Sequence, residues 1–344
     1  MKKKLFSLGL AVAMAASLTA CGGSGTAGTT KAAETTAADK AGAADNAAAG
    51  GVIKIGGIGP TTGGAAVYGL AVQHGAQLAV DEINAAGGIN GCTIEFNFQD
   101  DEHDPEKSVS AYNTLKDWGM QALMGTVTSG PCIAVADKTA ADNMFQITPS
   151  GSAVECAANP NVFRICFSDP DQGAASAKYI GENKLATKIA VIYDSSDIYS
   201  SGIFEKFAEE AANQGLEIVA AEAFTADSNK DFSTQLQKAK DAGAELVFLP
   251  IYYTEASLIL QQADKAGFET QFFGCDGMDG ILQVENFDTS LAEGLMLLTP
   301  FAADATDDLT VNFVKSYKDA YNEVPVQFAA DAYDAIYALK AAME

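Results

Sequence analysis

The sequence predicts an α/β fold of two doubly wound parallel-sheet domains. From Val52 onward, short β-branched runs alternate with longer helical patterns, the rhythm of strands joined by crossover helices. Strands separated by helices imply sheets covered on both faces. The length of 344 residues allows about two domains of roughly 150 residues each. A hydrophobic content of 48% is enough to fill their cores.

In the first half, strands are expected at 52–58, 93–99, 121–125 and 145–148. Helices are expected at 65–86, closed by Gly87-Gly88, at 105–118, opened by Pro105, and at 131–143. Ile94, Phe96 and Phe98 alternate onto one face. The break between domains is read at Phe167-Ser168-Asp169-Pro170, where proline interrupts a strand. In the second half, helices at 172–183, 202–214, 231–242 and 255–266 precede strands at 188–193, 217–223, 246–250 and 271–274. A short helix near 280–286, a strand at 294–299 and helices at 309–322 and 327–342 complete the chain.

Residues 1–20 read as an export signal: Lys2, Lys3 and Lys4, an apolar stretch from Leu5 to Ala16, then Leu18-Thr19-Ala20-Cys21. The apolar run is short for a membrane span. Small residues before a cysteine resemble the lipobox of bacterial lipoproteins, which implies cleavage before Cys21 and its acylation, a stable membrane anchor. Residues 22–50 contain 11 Ala, 6 Gly and 5 Thr, and no Leu, Ile, Val, Met or aromatic residue. The segment 21–51 is therefore a flexible tether, with a reach of about 30 Å.

Charge excludes several functions. The 21 Lys and Arg face 45 Asp and Glu, for a net charge of −24, and Arg164 is the only arginine. Nucleic acid is not an expected partner. The two histidines, His74 and His103, cannot make a His-rich metal site, so no metal or cofactor is expected. The sequence holds no CxxC, HExxH, GxSxG or GxxxxGK[ST] motif. The Gly57-Ile58-Gly59 loop is not a dinucleotide fingerprint, because Thr62 stands at the third glycine. Export permits disulfides, and the five cysteines after Cys21 leave their pairing open; Cys156 and Cys166 are the nearest in sequence.

In open α/β sheets, ligands bind beyond the carboxyl ends of the strands. Two hydroxyl-rich loops fall there, Gly125-Thr126-Val127-Thr128-Ser129-Gly130-Pro131 and Thr148-Pro149-Ser150-Gly151-Ser152. The first feeds a helix, with Ser129 or Gly130 as its N-cap, a favourable spot for an anion. Together the loops could grip a carboxylate without arginine, or Ser129 and Ser152 could simply cap helices and turns. In the second half, Tyr193-Asp194, the Asp197-Ile198-Tyr199-Ser200-Ser201-Gly202 run, Pro250-Ile251-Tyr252-Tyr253 and Gly274-Cys275-Asp276-Gly277 fall at or after strand ends, suiting an apolar or ammonium-bearing small molecule. The competing reading makes the tyrosines core and Asp276 a turn residue. An enzyme is disfavoured, since neither histidine is expected at a strand end of the cleft beside a serine.

An ordered set of residues extends this reading: the lipobox, Tyr68, Ala79-Val80-Asp81-Glu82-Ile83-Asn84, Gly87-Gly88-Ile89-Asn90-Gly91, Ser129, Ile147-Thr148-Pro149-Ser150, Phe163-Arg164, Asp171-Gln172-Gly173, Tyr199 and Gly274-Cys275-Asp276-Gly277. From Val52 to Glu344 the chain resembles the branched-chain amino-acid-binding proteins of ABC importers, a group of type I periplasmic binding proteins. The resemblance implies two lobes joined by hinge strands, 52–169 plus 300–344 and 170–299, closing on an amino acid. It implies that Ser129, Ser150 and Ser152 hold the ligand carboxylate. Asp276, where the family has glutamate, would pair with the ammonium, and Tyr68, Tyr199 and Tyr252 would line the cleft. His103 and Thr128 sit where some relatives carry a disulfide. Relatives continue beyond Ala338-Leu339-Lys340 into a last hinge crossing, so the sequence looks truncated. The expected protein is a monomeric lipoprotein, not an enzyme, delivering a neutral amino acid to a membrane permease. The alternatives are a ligand sensor, or a binder of another small molecule such as an amide or urea.

Overall fold

The structure is a computed structural model that describes residues 50–344. The expected export signal, tether and acylated Cys21 lie at residues 1–49, outside the described residues.

The first sheet is built from β1 (Val52–Gly59), β2 (Thr93–Asp100), β3 (Ala122–Gly125), β4 (Gln146–Thr148) and β5 (Val162–Arg164). All neighbours are parallel, in the order β2-β1-β3-β4-β5. Crossovers run through α1 (Ala66–Ala85), α2 (Pro105–Trp118) and α3 (Ser129–Asp142). Asp104 caps α2 by accepting from the Glu106 and Lys107 amides, and Pro105 occupies its first turn. Gly88 closes α1 through a 2.8 Å bond from its amide to Ile83 O, at a φ of +76°.

The second sheet repeats the topology with β6 (Lys188–Asp194), β7 (Glu217–Phe224), β8 (Leu246–Leu249), β9 (Gln271–Gly274) and β10 (Met296–Leu297), in the order β10-β9-β8-β6-β7. Its helices are α4 (Asp169–Glu182), α5 (Ile198–Asn213), α6 (Ser233–Asp241) and α7 (Tyr253–Lys265). Residues Leu246–Leu249 have no exposed surface, as the central strand of a sheet covered on both faces requires. The last helices, α8 (Asp308–Tyr321) and α9 (Gln327–Met343), return to α1 of the first half. At that crossing a Cβ on Gly75 would lie 2.0 Å from Ala329 O, so glycine lets the two backbones touch.

Four local expectations are corrected. Asp169-Pro170 does not interrupt a strand: it opens α4, where Ser168 accepts from the Asp171 amide and proline needs no partner in the first turn. The three-residue β5 was not expected. The segment near 280–286 holds a single 3₁₀ turn, Ile281–Gln283, not a longer helix. The strand expected at 294–299 is reduced to Met296–Leu297, because only that pair reaches β9.

Each sheet reverses its strand order at one point, between β1 and β3 and between β6 and β8. The crevices there lie at the carboxyl ends of the strands. Across the junction, Thr254 Oγ1 donates to Gly64 O at 2.7 Å and the Val67 amide to Tyr253 Oη at 3.2 Å.

Candidate functional site

All seven residues nominated as ligand contacts line one small cavity: Tyr68, Ser129, Ser150, Ser152, Tyr199, Tyr252 and Asp276. Val127, Thr128, Gly277 and Phe328 complete its wall and were missed. The loops after β3 and β4 bring the serines, α1 after β1 brings Tyr68, and the segments after β6, β8 and β9 bring Tyr199, Tyr252 and Asp276. The cavity measures about 10 Å³, room for about one water.

Ser129 is not the N-cap expected for α3. Thr128 holds that position, and its hydroxyl is 2.8 Å from His103 Nδ1 rather than on the helix. Ser129 is the first helical residue, and its Oγ accepts from the Ala153 amide at 3.1 Å. Its own O–H therefore remains free to donate, beside the positive end of the α3 dipole. Ser150 differs: its Oγ donates to Val127 O at 2.7 Å, so only lone pairs remain for a ligand. An ammonium suits them and a carboxylate does not. Arg164 faces away from the cavity's chemistry, donating to the carbonyls of Ser152 and Ala153 at 2.9 and 3.0 Å. The only arginine thus fastens the serine loop.

On the opposite wall, Asp276 is 2% exposed and accepts from Tyr199 Oη at 2.7 Å. Burial raises its pKa, and the hydrogen bond from Tyr199 works against that rise. The Asp276 amide donates to Gln172 Oε1 at 3.2 Å. Tyr199 Oη also accepts from the Gly277 amide at 2.9 Å. A Cβ on Gly277 would come within 2.6 Å of that oxygen, so this position needs glycine. The Tyr199 and Tyr252 rings stack at 4.9 Å, Tyr68 meets Tyr252 edge-on at 5.5 Å, and Tyr68 lies 4.3 Å from Phe328. Tyr68 Oη donates to Gly277 O, tying helix α1 to the Asp276 turn.

A second cavity of about 610 Å³ opens from the mouth of the cleft and shares Tyr252. His103, which was not expected at a strand end of the cleft beside a serine, lines it, and its hydrogen-bond partner is Thr128. Its ring stands edge-on to Tyr252 at 5.5 Å, and burial lowers its pKa although Asp197 and Asp194 oppose the shift. The signal was available, since His103 lies three residues past the carboxyl end of β2, but the residue sits in a charged turn that reads as solvated. His103 and Thr128, the positions where some relatives carry a disulfide, here share a hydrogen bond. A further cavity of about 750 Å³ is an apolar groove between α1 and the 278–283 segment, outside this cluster. Among the described residues no group of three or more His, Cys, Asp or Glu is placed to hold a metal ion.

A family model described as periplasmic binding protein matches residues 52–344. The chain belongs to this family. Leu/Ile/Val-binding protein homolog 3 of Brucella melitensis is 32% identical over 289 residues, 83% of this chain and 77% of the relative. The leucine-, isoleucine-, valine-, threonine-, and alanine-binding protein of Pseudomonas aeruginosa is 30% identical, covering 83% and 76%. Among solved structures, the branched-chain amino acid transporter substrate binding protein LivJ of Streptococcus pneumoniae, in complex with isoleucine, superposes with a TM-score of 0.80. It is 32% identical, over 85% of this chain and 84% of the other. The leucine binding protein LivK of Thermotoga maritima gives 0.77 at 27% identity, over 85% and 82%. The family is one of extracytoplasmic binding proteins rather than enzymes. Among the described residues no helix is long and apolar enough to cross a membrane.

Proposed function

We propose that this protein is the substrate-binding component of an ABC importer and takes a neutral, branched-chain amino acid between its two lobes. The lobes are residues 52–169 with 300–344, and residues 170–299. The observation that carries the reading is the polarity of the cavity. Hydroxyls of Ser129 and Ser152 line the first-sheet wall, and the Asp276 carboxylate lies on the second. A zwitterion matches that arrangement end for end. Its carboxylate takes the Ser129 and Ser152 protons, and its ammonium takes Asp276 and the Ser150 lone pairs. Tyr68, Tyr199 and Tyr252 pack its apolar part. The names of the relatives support the same ligand class.

Binding is a closure. The cavity of about 10 Å³ admits an amino acid only when the two walls part, and neither wall alone satisfies both poles. The protein performs no chemistry on the ligand. The closed form is read by a membrane permease, and the protein acts as a monomer held at the cell surface through acylated Cys21. Micromolar affinity needs about −8 kcal/mol, which one ion pair, a few charge-assisted hydrogen bonds and apolar burial supply.

Removing one member of a buried ion pair costs about 3–5 kcal/mol, so Asp276→Ala weakens leucine, isoleucine and valine binding by more than ~100-fold. Titration calorimetry on the wild type and the variant, with circular dichroism as the folding control, reads the effect. An affinity unchanged in the variant refutes the ammonium role.

A further inference from the structure

Directly beneath the two serine loops lies a pair of cysteines that ligand recognition does not use. Cys132 stands in the first turns of α3, and Cys156 in the 3₁₀ turn Val154–Ala157 that follows Ser152. Both are fully buried and, with Ala153, they form a small cluster separate from the main cores. The Cys156 thiol donates to Ser129 O at 3.6 Å, Gln146 Nε2 donates to Cys132 Sγ at 3.6 Å, and a Cβ on Gly151 would lie 3.0 Å from Cys132 Sγ. The two thiols pack into this one cluster and are unbonded in this structure. Among the described residues the other cysteines have different neighbours: Cys275 faces Ser176 Oγ at 3.8 Å, Cys166 lies near Arg164 and Asp169, and Cys92 lies beside Gly51.

We infer that Cys132 and Cys156 form an intramolecular disulfide that staples the start of α3 to the turn after Ser152. An extracytoplasmic location supplies disulfide oxidants. The chemistry is thiol–disulfide exchange with a small-molecule or protein disulfide. The Cys132 thiolate attacks one sulfur of the donor, and the donor's other sulfur leaves as a thiolate. Cys156, losing its proton, attacks Cys132 Sγ and expels the second donor thiolate. The donor disulfide is reduced to two thiols, which take up the two protons, and the protein's two thiols become one disulfide. The environments fit these roles. The partner thiol of Cys156, with donors from Thr148 and Thr126, lowers the Cys132 pKa against the burial that raises it, while Cys156 is pushed up. With both sulfurs buried, exchange takes place as the chain folds, before the cluster closes. On the amino-acid reading, the bond holds the Ser129 and Ser152 hydroxyls in fixed register. The bond itself does not depend on that reading.

The full chain is refolded from denaturant in oxidised glutathione, then denatured in N-ethylmaleimide and mapped by peptide mass without reductant. The expected map links the Cys132 and Cys156 peptides, two hydrogens lighter than their sum, with Cys92, Cys166 and Cys275 alkylated. Alkylation at both Cys132 and Cys156, or a different linkage, overturns the proposal. In C132S, Cys156 becomes alkylated. Dithiothreitol lowers the melting temperature of the wild type and leaves C132S/C156S unchanged; an equal response in both also overturns it. The map reads the bond with no ligand present, so its outcome is independent of whether leucine binds.

Discussion

Asp169 is 1% exposed, and neither of its carboxylate oxygens has a hydrogen-bond partner. Burial pushes its pKa up to about 8, against the nearby Ser152 hydroxyl, which opposes the rise, and with the Asp276 charge adding to it. In an unfolded chain the same carboxyl titrates near ~3.9. Between these values the folded protein keeps a proton that the unfolded chain has lost. Its contribution to stability is therefore greatest below the unfolded value and declines as pH rises, by up to ~1.4 kcal/mol per pH unit. Urea unfolding at pH 5 and pH 7.5 measures this slope, and Asp169→Asn flattens it by about that amount. A variant that keeps the wild-type slope places the proton on another group. The types of residue at the site were legible in the sequence: hydroxyls after two strands, an acid and tyrosines after four others. Their hydrogen-bond states were not. Ser150 spends its proton on Val127 O and Ser129 does not, a difference fixed by which carbonyl or amide the folded loops bring near.

At the scale of elements, strong periodicity translated into strands and helices within a few residues, while short or polar segments did not. Strand β5 has three residues and no room for a period; it exists because it pairs with β4. Proline at 170 reads as a breaker, yet after the Ser168 cap it sits where a helix leaves its amide unused. The α1–α9 crossing shows how one residue sets an element's position. A methyl group on Gly75 would collide with the Ala329 carbonyl, a backbone atom with no rotamer to move. Gly75→Ala therefore costs about 1–3 kcal/mol despite its better helix propensity. Thermal denaturation shows the loss as a lower melting temperature. A melting temperature raised by the substitution means that α9 moves aside without cost.

For the whole molecule, the consequence of opposed walls is a change of shape. Adding leucine is expected to reduce the radius of gyration measured by small-angle X-ray scattering, because affinity is complete only when both walls meet the ligand. Asp276→Ala, lacking one pole, stays at the unliganded value; compaction of the variant equal to that of the wild type separates closure from the ion pair. The sequence by itself determined the alternation of strands and helices, the acidic balance and the residue types at the strand ends. All of these are local properties of pattern and composition. Only the tertiary structure decided that Tyr68, Ser129 and Asp276 share one cavity, that His103 joins its mouth and that Arg164 holds a loop instead of a ligand. Those facts depend on contacts between residues far apart in the chain, such as Tyr68 to Gly277 and Tyr199 to Asp276, and packing, not sequence proximity, sets them.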